Sequence, residues 1–265
     1  MVQRSSPNSG PQPFEHAERV QRAEQIAAAF QRRYAQRVKG IAVYGSLARA
    51  TDGPFSDIEM FVILEGEQVE RVFEWSAGPW KAEVDVYSED VYLNAAGEFD
   101  EFWPITHGAF LHQLVLHDPG GLFARGGQIA LGHSDEEFRA LISEVIVGDL
   151  YEAVGKIRNG VARGRGEVIA PFCVDAARYG ACLVGLHNRQ VYTSGASLFS
   201  ESLELPGRPR GYDALARLVM AGDLGDPERA AGLLDTFWEG VEDWAAEQGI
   251  PLTHDLEDLL EEDDL

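Results

Sequence analysis

The segment "IAVYGSLARATDGPFSDIEMFVIL", residues 41–64, constrains the fold more than any other stretch of this chain. Two apolar runs flank a Gly-Ser turn, and the second run opens with Asp57-Ile58-Glu59. Apolar runs bounded by Gly, Pro, Ser and Asp read as strands, here at 41–44 and about 57–64. Side chains at i and i+2 of a strand share a face. Asp57 and Glu59 therefore project together, and Ile58 and Met60 point to the opposite face. Two neighbouring carboxylates repel each other and lose hydration when half buried. A divalent cation between them offsets both costs. Oxygen donors at this separation suit Mg2+, which fills the rest of its shell with water and phosphate oxygens. An acidic edge strand facing solvent carries the same Asp-x-Glu pattern.

The preceding turn bears on which of these holds. Gly45 directly after a strand lets backbone N–H groups approach a ligand closely. Ser46 and the short "SLARA" segment can offer N–H groups and a hydroxyl to a phosphate. Arg49, one turn on, can add charge-assisted hydrogen bonds. Phosphate donors beside metal-type carboxylates are the basic equipment of phosphoryl or nucleotidyl transfer, where catalysis is mainly positioning and charge neutralisation. A third carboxylate comes from "WKAEVDVYS", an alternating strand at 81–88 that offers Glu83 and Asp85 on one face. Glu83 is the preferred candidate. Lys81 shares that face, so a surface strand with a Lys–Glu pair is the alternative.

Around this nucleus the chain reads as mixed strand and helix over its first half. Residues 14–36 have helical spacing in Phe14, Val20, Ala23, Ile26, Ala27 and Phe30. "AFLHQLVLH", 109–117, reads as a further strand-like run. From Ser134 the character becomes helical. "SDEE" is a capping box with Ser134 at N-cap and Glu137 at N3, opening a long helix to about Asn159. Pro171 opens a second, to about Arg189, and a third covers 211–222. Asp226-Pro227 caps a fourth, with Leu234, Phe237, Trp238, Val241 and Trp244 on one stripe. The expected fold is α+β: a mixed-sheet domain over 14–130, then an all-helical bundle over 131–250. A disordered tail, 1–13, and an acidic tail, 251–265, flank them.

The formal charge of −22, from 22 Lys and Arg against 44 Asp and Glu, repels nucleic acid and attracts cations. No uninterrupted run of about 18 apolar residues is present, which argues against a membrane span. The N-terminus lacks an apolar signal segment. The two cysteines, Cys173 and Cys182, match no zinc or redox spacing and read as buried thiols of a cytoplasmic protein. His107 and His187 receive no catalytic role, and Trp103, Trp238 and Trp244 read as packing residues.

Gly-Ser, a spacer and Asp-x-Glu on the next strand resembles the signature of the DNA polymerase β-like nucleotidyltransferase superfamily. "VYGSLARATDGPFSDIEM" is similar, more narrowly, to the aminoglycoside 4'-O-nucleotidyltransferases of the kanamycin nucleotidyltransferase type. "FEWSAGPWKAEVDVYS", "WPITHGAF", "YEAVGKIRN", "GLHNRQVYTSGAS" and "RGYDALARLVM" agree with it in order across about residues 40–245.

The resemblance implies transfer of AMP from ATP·Mg2+ to the 4'-hydroxyl of a kanamycin-like aminoglycoside, inactivating the antibiotic. On this reading Asp57, Glu59 and Glu83 hold Mg2+, and Ser46, Arg49, Ser56 and Lys156 hold phosphates. "YEAVGK" matches the segment carrying the family's base, so Glu152 takes the proton of the attacking hydroxyl. Ser194 falls where the family has a Thr near the nucleotide. Glu74 matches a drug contact, Glu83 also faces the drug, and Asp149 is a further acidic candidate for this polycation. Gly148 stands where the family pattern is acidic. The family's base and Lys enter the site from the partner subunit, which implies a homodimer with composite sites and no nucleic-acid or membrane partner. Alternatives are a nucleotidyltransferase of the same fold acting on a lincosamide, streptomycin or protein hydroxyl, or a non-catalytic nucleotide-binding partner of a toxin module.

Overall fold

A computed structural model describes residues 10–253 and Leu256. The rest of the two expected tails lies outside the described residues. The chain divides into two compact units. The first runs through Phe99 and resumes over Thr106–His133; the second takes Asp100–Ile105 and the chain from Ser134 onward.

The first unit holds α1 (His16–Tyr34), β1 (Val38–Tyr44), α2 (Gly45–Ala48), β2 (Ile58–Leu64), β3 (Glu70–Ser76), β4 (Lys81–Ser88) and α3 (Glu89–Ala96). After the short α4 (Trp103–Thr106) come α5 (Gly108–Leu111), β5 (Leu114–His117) and α6 (Leu122–Ala130). The strands form one mixed sheet in the order β3-β4-β2-β1-β5. β2 and β4 run parallel, and the other pairs are antiparallel. The two-residue period sorts the side chains. Ile41, Val43, Ile58, Met60, Val62 and Val84 bury one face against Ala23 and Ala27 of α1. Ala42, Tyr44, Phe61 and Ile63 form the other core, with Tyr92, Phe110 and Phe123. Each fully buried Val, Ile or Phe contributes about 1.5–3 kcal/mol. Two expectations change here. "AFLHQLVLH" is not one strand, because α5 takes its first part and only Leu114–His117 pairs with β1. β3 was missed because its residues are mostly exposed, so no apolar run marks it. At the start of the described chain, the Gln12 N–H donates to the Pro79 carbonyl (2.9 Å).

The second unit continues with α7 (Asp135–Glu144), a π-helical turn at Val145–Leu150, and α8 (Tyr151–Ala162). It is completed by α9 (Ile169–Asn188), α10 (Leu198–Ser202), α11 (Tyr212–Ala221) and α12 (Pro227–Gln248). The capping chemistry is as the sequence predicts. Ser134 Oγ accepts from the Glu137 N–H while Glu137 accepts from the Ser134 N–H. Asp226 caps α12 by accepting from the Glu228 and Arg229 N–H groups, with Pro227 in the first turn. Leu234, Phe237, Trp238, Val241 and Trp244 are all buried. The stretch Gly166–Asn188 is apolar and long enough by composition to cross a membrane, but its apolarity answers to packing. Cys173, Ala177, Cys182, Val184 and Leu186 on α9 are buried in the helical core. Both thiols are free, and burial pushes Cys173 to about 11 and Cys182 to about 12.

Candidate active site

Strand register sets the acidic residues abreast. Tyr44 pairs with Glu59, Glu59 with Glu83, and Glu83 with Glu74. Three glutamates from three adjacent strands thus form one row across the sheet, with strands about 4.8 Å apart. Asp57 lies just ahead of β2, and Asp85 lies one row further in, opposite Phe61. Like charges side by side on a sheet destabilise it. Lys81 answers this. Its ammonium lies 2.7 Å from Glu74 Oε1, 3.7 Å from Asp57 Oδ2 and 3.8 Å from Glu83 Oε2. The hydrogen bond to Glu74, reinforced by the charges of Glu74, Asp57 and Glu83, raises the Lys81 pKa.

Glu59 receives the least relief. Burial, and then the charges of Asp57, Glu83 and Asp85, push its carboxyl up to about 7, with Lys81 pulling only part of the way back. Burial also raises Asp85, opposed by the hydrogen bond it accepts from the Tyr44 hydroxyl at 2.8 Å. The Tyr44 ring stacks on Phe61 with centroids 4.4 Å apart, so its hydroxyl reaches from β1 across β2 to β4. Burial and the neighbouring carboxylates hold that phenol protonated far above its ordinary range.

Gly45 is required at the turn for two reasons. Its φ of +71° is left-handed, and a Cβ there would fall inside the Glu59 carboxylate. Ser46 follows in α2, and its carbonyl accepts from the Thr51 N–H at 3.0 Å. The Arg49 guanidinium lies against Gly108 of α5, where any Cβ would collide with it. Its charge adds to burial in lowering the His112 pKa. Ser56 is committed to its own turn: the hydroxyl accepts from the Gly53 N–H at 3.0 Å.

The other sequence-derived candidates sit in the helical unit. In a regular helix, the buried stripe Phe138, Leu141, Val145 would continue through Asp149, Glu152 and Lys156. The π turn takes up an extra residue per turn, so the stripe passes instead through Leu150, Ala153, Val154 and Ile157, all buried. Asp149 is left half-buried, and Glu152 and Lys156 exposed. Asp149 accepts a hydrogen bond from Tyr179, which burial and this carboxylate push up to about 12. Lys156 Nζ lies 3.3 Å from Glu152 Oε1, an i,i+4 pair. Ser194 exchanges hydrogen bonds with Ser197 in the turn leading into α10, with the two hydroxyls 3.1 Å apart.

Among the described residues, no three Asp, Glu, His or Cys side chains converge on a point ready for a metal. Asp57 and Glu83 lean toward Lys81 instead, because an ammonium relieves their repulsion. The donor set still fits a hard divalent ion: carboxylate oxygens on adjacent strands, one of them, Glu59, raised to about 7 by burial and then by like charges that a cation would offset. Turning Asp57 and Glu83 away from Lys81 costs little, since exposed ion pairs are worth about 0–1 kcal/mol.

Two relatives named aminoglycoside nucleotidyltransferase (4'), from a Bacillus species and from Staphylococcus aureus, are each 38% identical to this chain over 241 residues. The match spans 91% of this chain and 95% of theirs. The chain belongs to the aminoglycoside 4'-nucleotidyltransferase family. It is therefore a nucleotidyltransferase. The KNTase C-terminal domain model matches residues 120–251. A nucleotidyltransferase-like protein from Exiguobacterium sibiricum 255-15 shares the fold at a TM-score of 0.55 and 14% identity, over 91% of this chain and 81% of that one.

Sequence reasoning about this nucleotidyltransferase missed three residues in or beside the site, Tyr44, Arg19 and Asp52, and ranked a fourth, Asp85, below Glu83. Tyr44 sits inside the quoted signature, but its hydroxyl partner is 41 positions away. Arg19 and Asp52 receive no role from the sequence. The one available signal was that Arg19 precedes Ala23 by four residues, on the buried stripe of α1.

Proposed function

We propose that this enzyme transfers AMP from ATP to the 4'-hydroxyl of kanamycin-like aminoglycosides. The observation that carries the reading is 38% identity, over 91% of this chain, to relatives named aminoglycoside nucleotidyltransferase (4'). The acidic row over β2, β4 and β3 supports it chemically. Asp57, Glu59 and Glu83 would hold the divalent cation, taken as Mg2+. Once bound, the ion offsets negative charge on the triphosphate. Ser46, Arg49 and Lys156 bind phosphates. Ser56 and Ser194 complete the nucleotide site, each by exchanging a hydrogen bond within its own turn for one to the ligand. Glu74, Glu83 and Asp149 accept from the ammonium groups of the drug. Glu152 takes the 4'-hydroxyl proton as that oxygen bonds to the α-phosphorus. The bond from the α-phosphorus to its bridging oxygen breaks, and pyrophosphate leaves. In the proposed homodimer, Glu152 and Lys156 serve the site of the partner subunit.

The test is mass spectrometry of kanamycin after incubation with the enzyme, ATP and Mg2+. One added AMP at the 4'-oxygen, dependent on the divalent ion, is expected. Unmodified drug, or modification elsewhere, overturns the proposal.

A further inference from the structure

Arg19 lies on α1 and is 1% exposed. An arginine is buried at tolerable cost only when its N–H donors find acceptors, and here they do. Nε donates to the Ser56 carbonyl at 2.9 Å, and Nη2 donates to the carbonyls of Phe14, at 2.8 Å, and Pro54. Nη1 pairs with the Asp52 carboxylate, whose side chain is also 1% exposed and lies 2.6 Å from His16 Nδ1. The same loop is cross-tied: the Phe14 N–H donates to Pro54, and the Ser56 N–H donates to Gly53. Three of the Arg19 acceptors thus belong to residues 52–56, and the next residue is Asp57.

Those five residues lie outside the sheet, and the ladder begins only at Ile58, paired with Ala82. The direction in which Asp57 leaves the chain is therefore set from the loop side. A guanidinium suits this task because it spreads planar donors over several acceptors. An ammonium is a point charge on a flexible stem and cannot span the same carbonyls.

The geometry points to Arg19, with Asp52 as counter-ion, as the positioning residue that presents the Asp57 carboxylate to the divalent ion; the inference rests on the metal role proposed for Asp57. Arg19→Lys keeps the charge and the pairing with Asp52 but loses the grip on the carbonyls. Asp52→Asn keeps the grip but removes the counter-ion.

The experiment uses the full-length, metal-stripped protein and Mn2+ alone, with free Mn2+ counted by electron paramagnetic resonance. Hydrogen exchange over residues 50–58, kanamycin binding by calorimetry and thermal unfolding accompany it. Arg19→Lys is expected to weaken Mn2+ binding about tenfold and to speed exchange of the 52–57 amides, with kanamycin affinity held within about twofold. Asp52→Asn is expected to do the same more weakly, and it carries the test if Arg19→Lys fails to fold. Wild-type Mn2+ affinity in the folded variants, with or without a lower unfolding temperature, overturns the positioning role while leaving the metal role of Asp57 standing. A wild-type protein that binds no Mn2+ overturns both.

Discussion

Glu59→Gln separates the cost of the acidic row from its use. In the folded chain the Glu59 carboxyl titrates at about 7 against an ordinary value of 4.5. A carboxyl raised on folding holds its proton more tightly in the folded state, so the folded chain is favoured while Glu59 is protonated. That advantage is complete below about pH 4.5 and is lost progressively as the pH rises to about 7. At 1.36 kcal/mol per pH unit the full swing is about 3 kcal/mol, and solvent screening of the half-exposed group trims it to about 2 kcal/mol. Glutamine mimics the protonated side chain at every pH. In the metal-free protein, Glu59→Gln is therefore expected to match wild type near pH 4.5 and to exceed its stability by about 2 kcal/mol at pH 8. Urea unfolding in chelator, from pH 4.5 to 8.5, reads this as a divergence of the two midpoints. Adding Mg2+ at pH 8 should reverse the order, because only wild type gains from binding the ion. Parallel stability profiles for the two proteins over the whole range would refute the electrostatic account.

Three further outcomes follow, two from the same geometry and one from the base role proposed for Glu152. Tyr44→Phe strips buried Asp85 of its donor and should cost about 1–3 kcal/mol by urea unfolding; a loss below about 0.5 kcal/mol would show the bond to be idle. Gly45→Ala forces a side chain into left-handed backbone and into the Glu59 carboxylate, so ATP-dependent turnover should fall at least 100-fold, with about 1–3 kcal/mol of destabilisation. Near-normal turnover would mean that the turn yields. Glu152→Gln should abolish pyrophosphate release while leaving ATP affinity within about twofold, and turnover within tenfold of wild type would remove it as the base.

Much of the fold was legible because its signals are local. The alternating apolar pattern of 81–88 and the run at 58–64 mark strands wherever they pair. Ser134 with Glu137 and Asp226 with Pro227 mark helix starts, because a cap satisfies N–H groups two or three residues away. Where local signals were weak or divided, the reading went astray. β3 has few buried side chains, and the 109–117 run is split between α5 and β5. The continuous helix expected to Asn159 is interrupted by a π turn that no residue pattern announces.

The residues of the candidate site divide along the same line. That Glu59 and Asp57 belong together, and that Glu83 and Asp85 share a face, follows from a two-residue repeat and needs nothing beyond neighbouring positions in the chain. That Glu74, Glu83 and Glu59 stand abreast depends on register between strands separated in sequence. So do the bridging of three carboxylates by Lys81, the rise of Glu59 to about 7 and the grip of a buried Arg19 on the loop before Asp57. Periodicity is a property of consecutive residues. Desolvation and charge coupling depend on which distant segments exclude water from each other, and that is settled only when the sheet assembles.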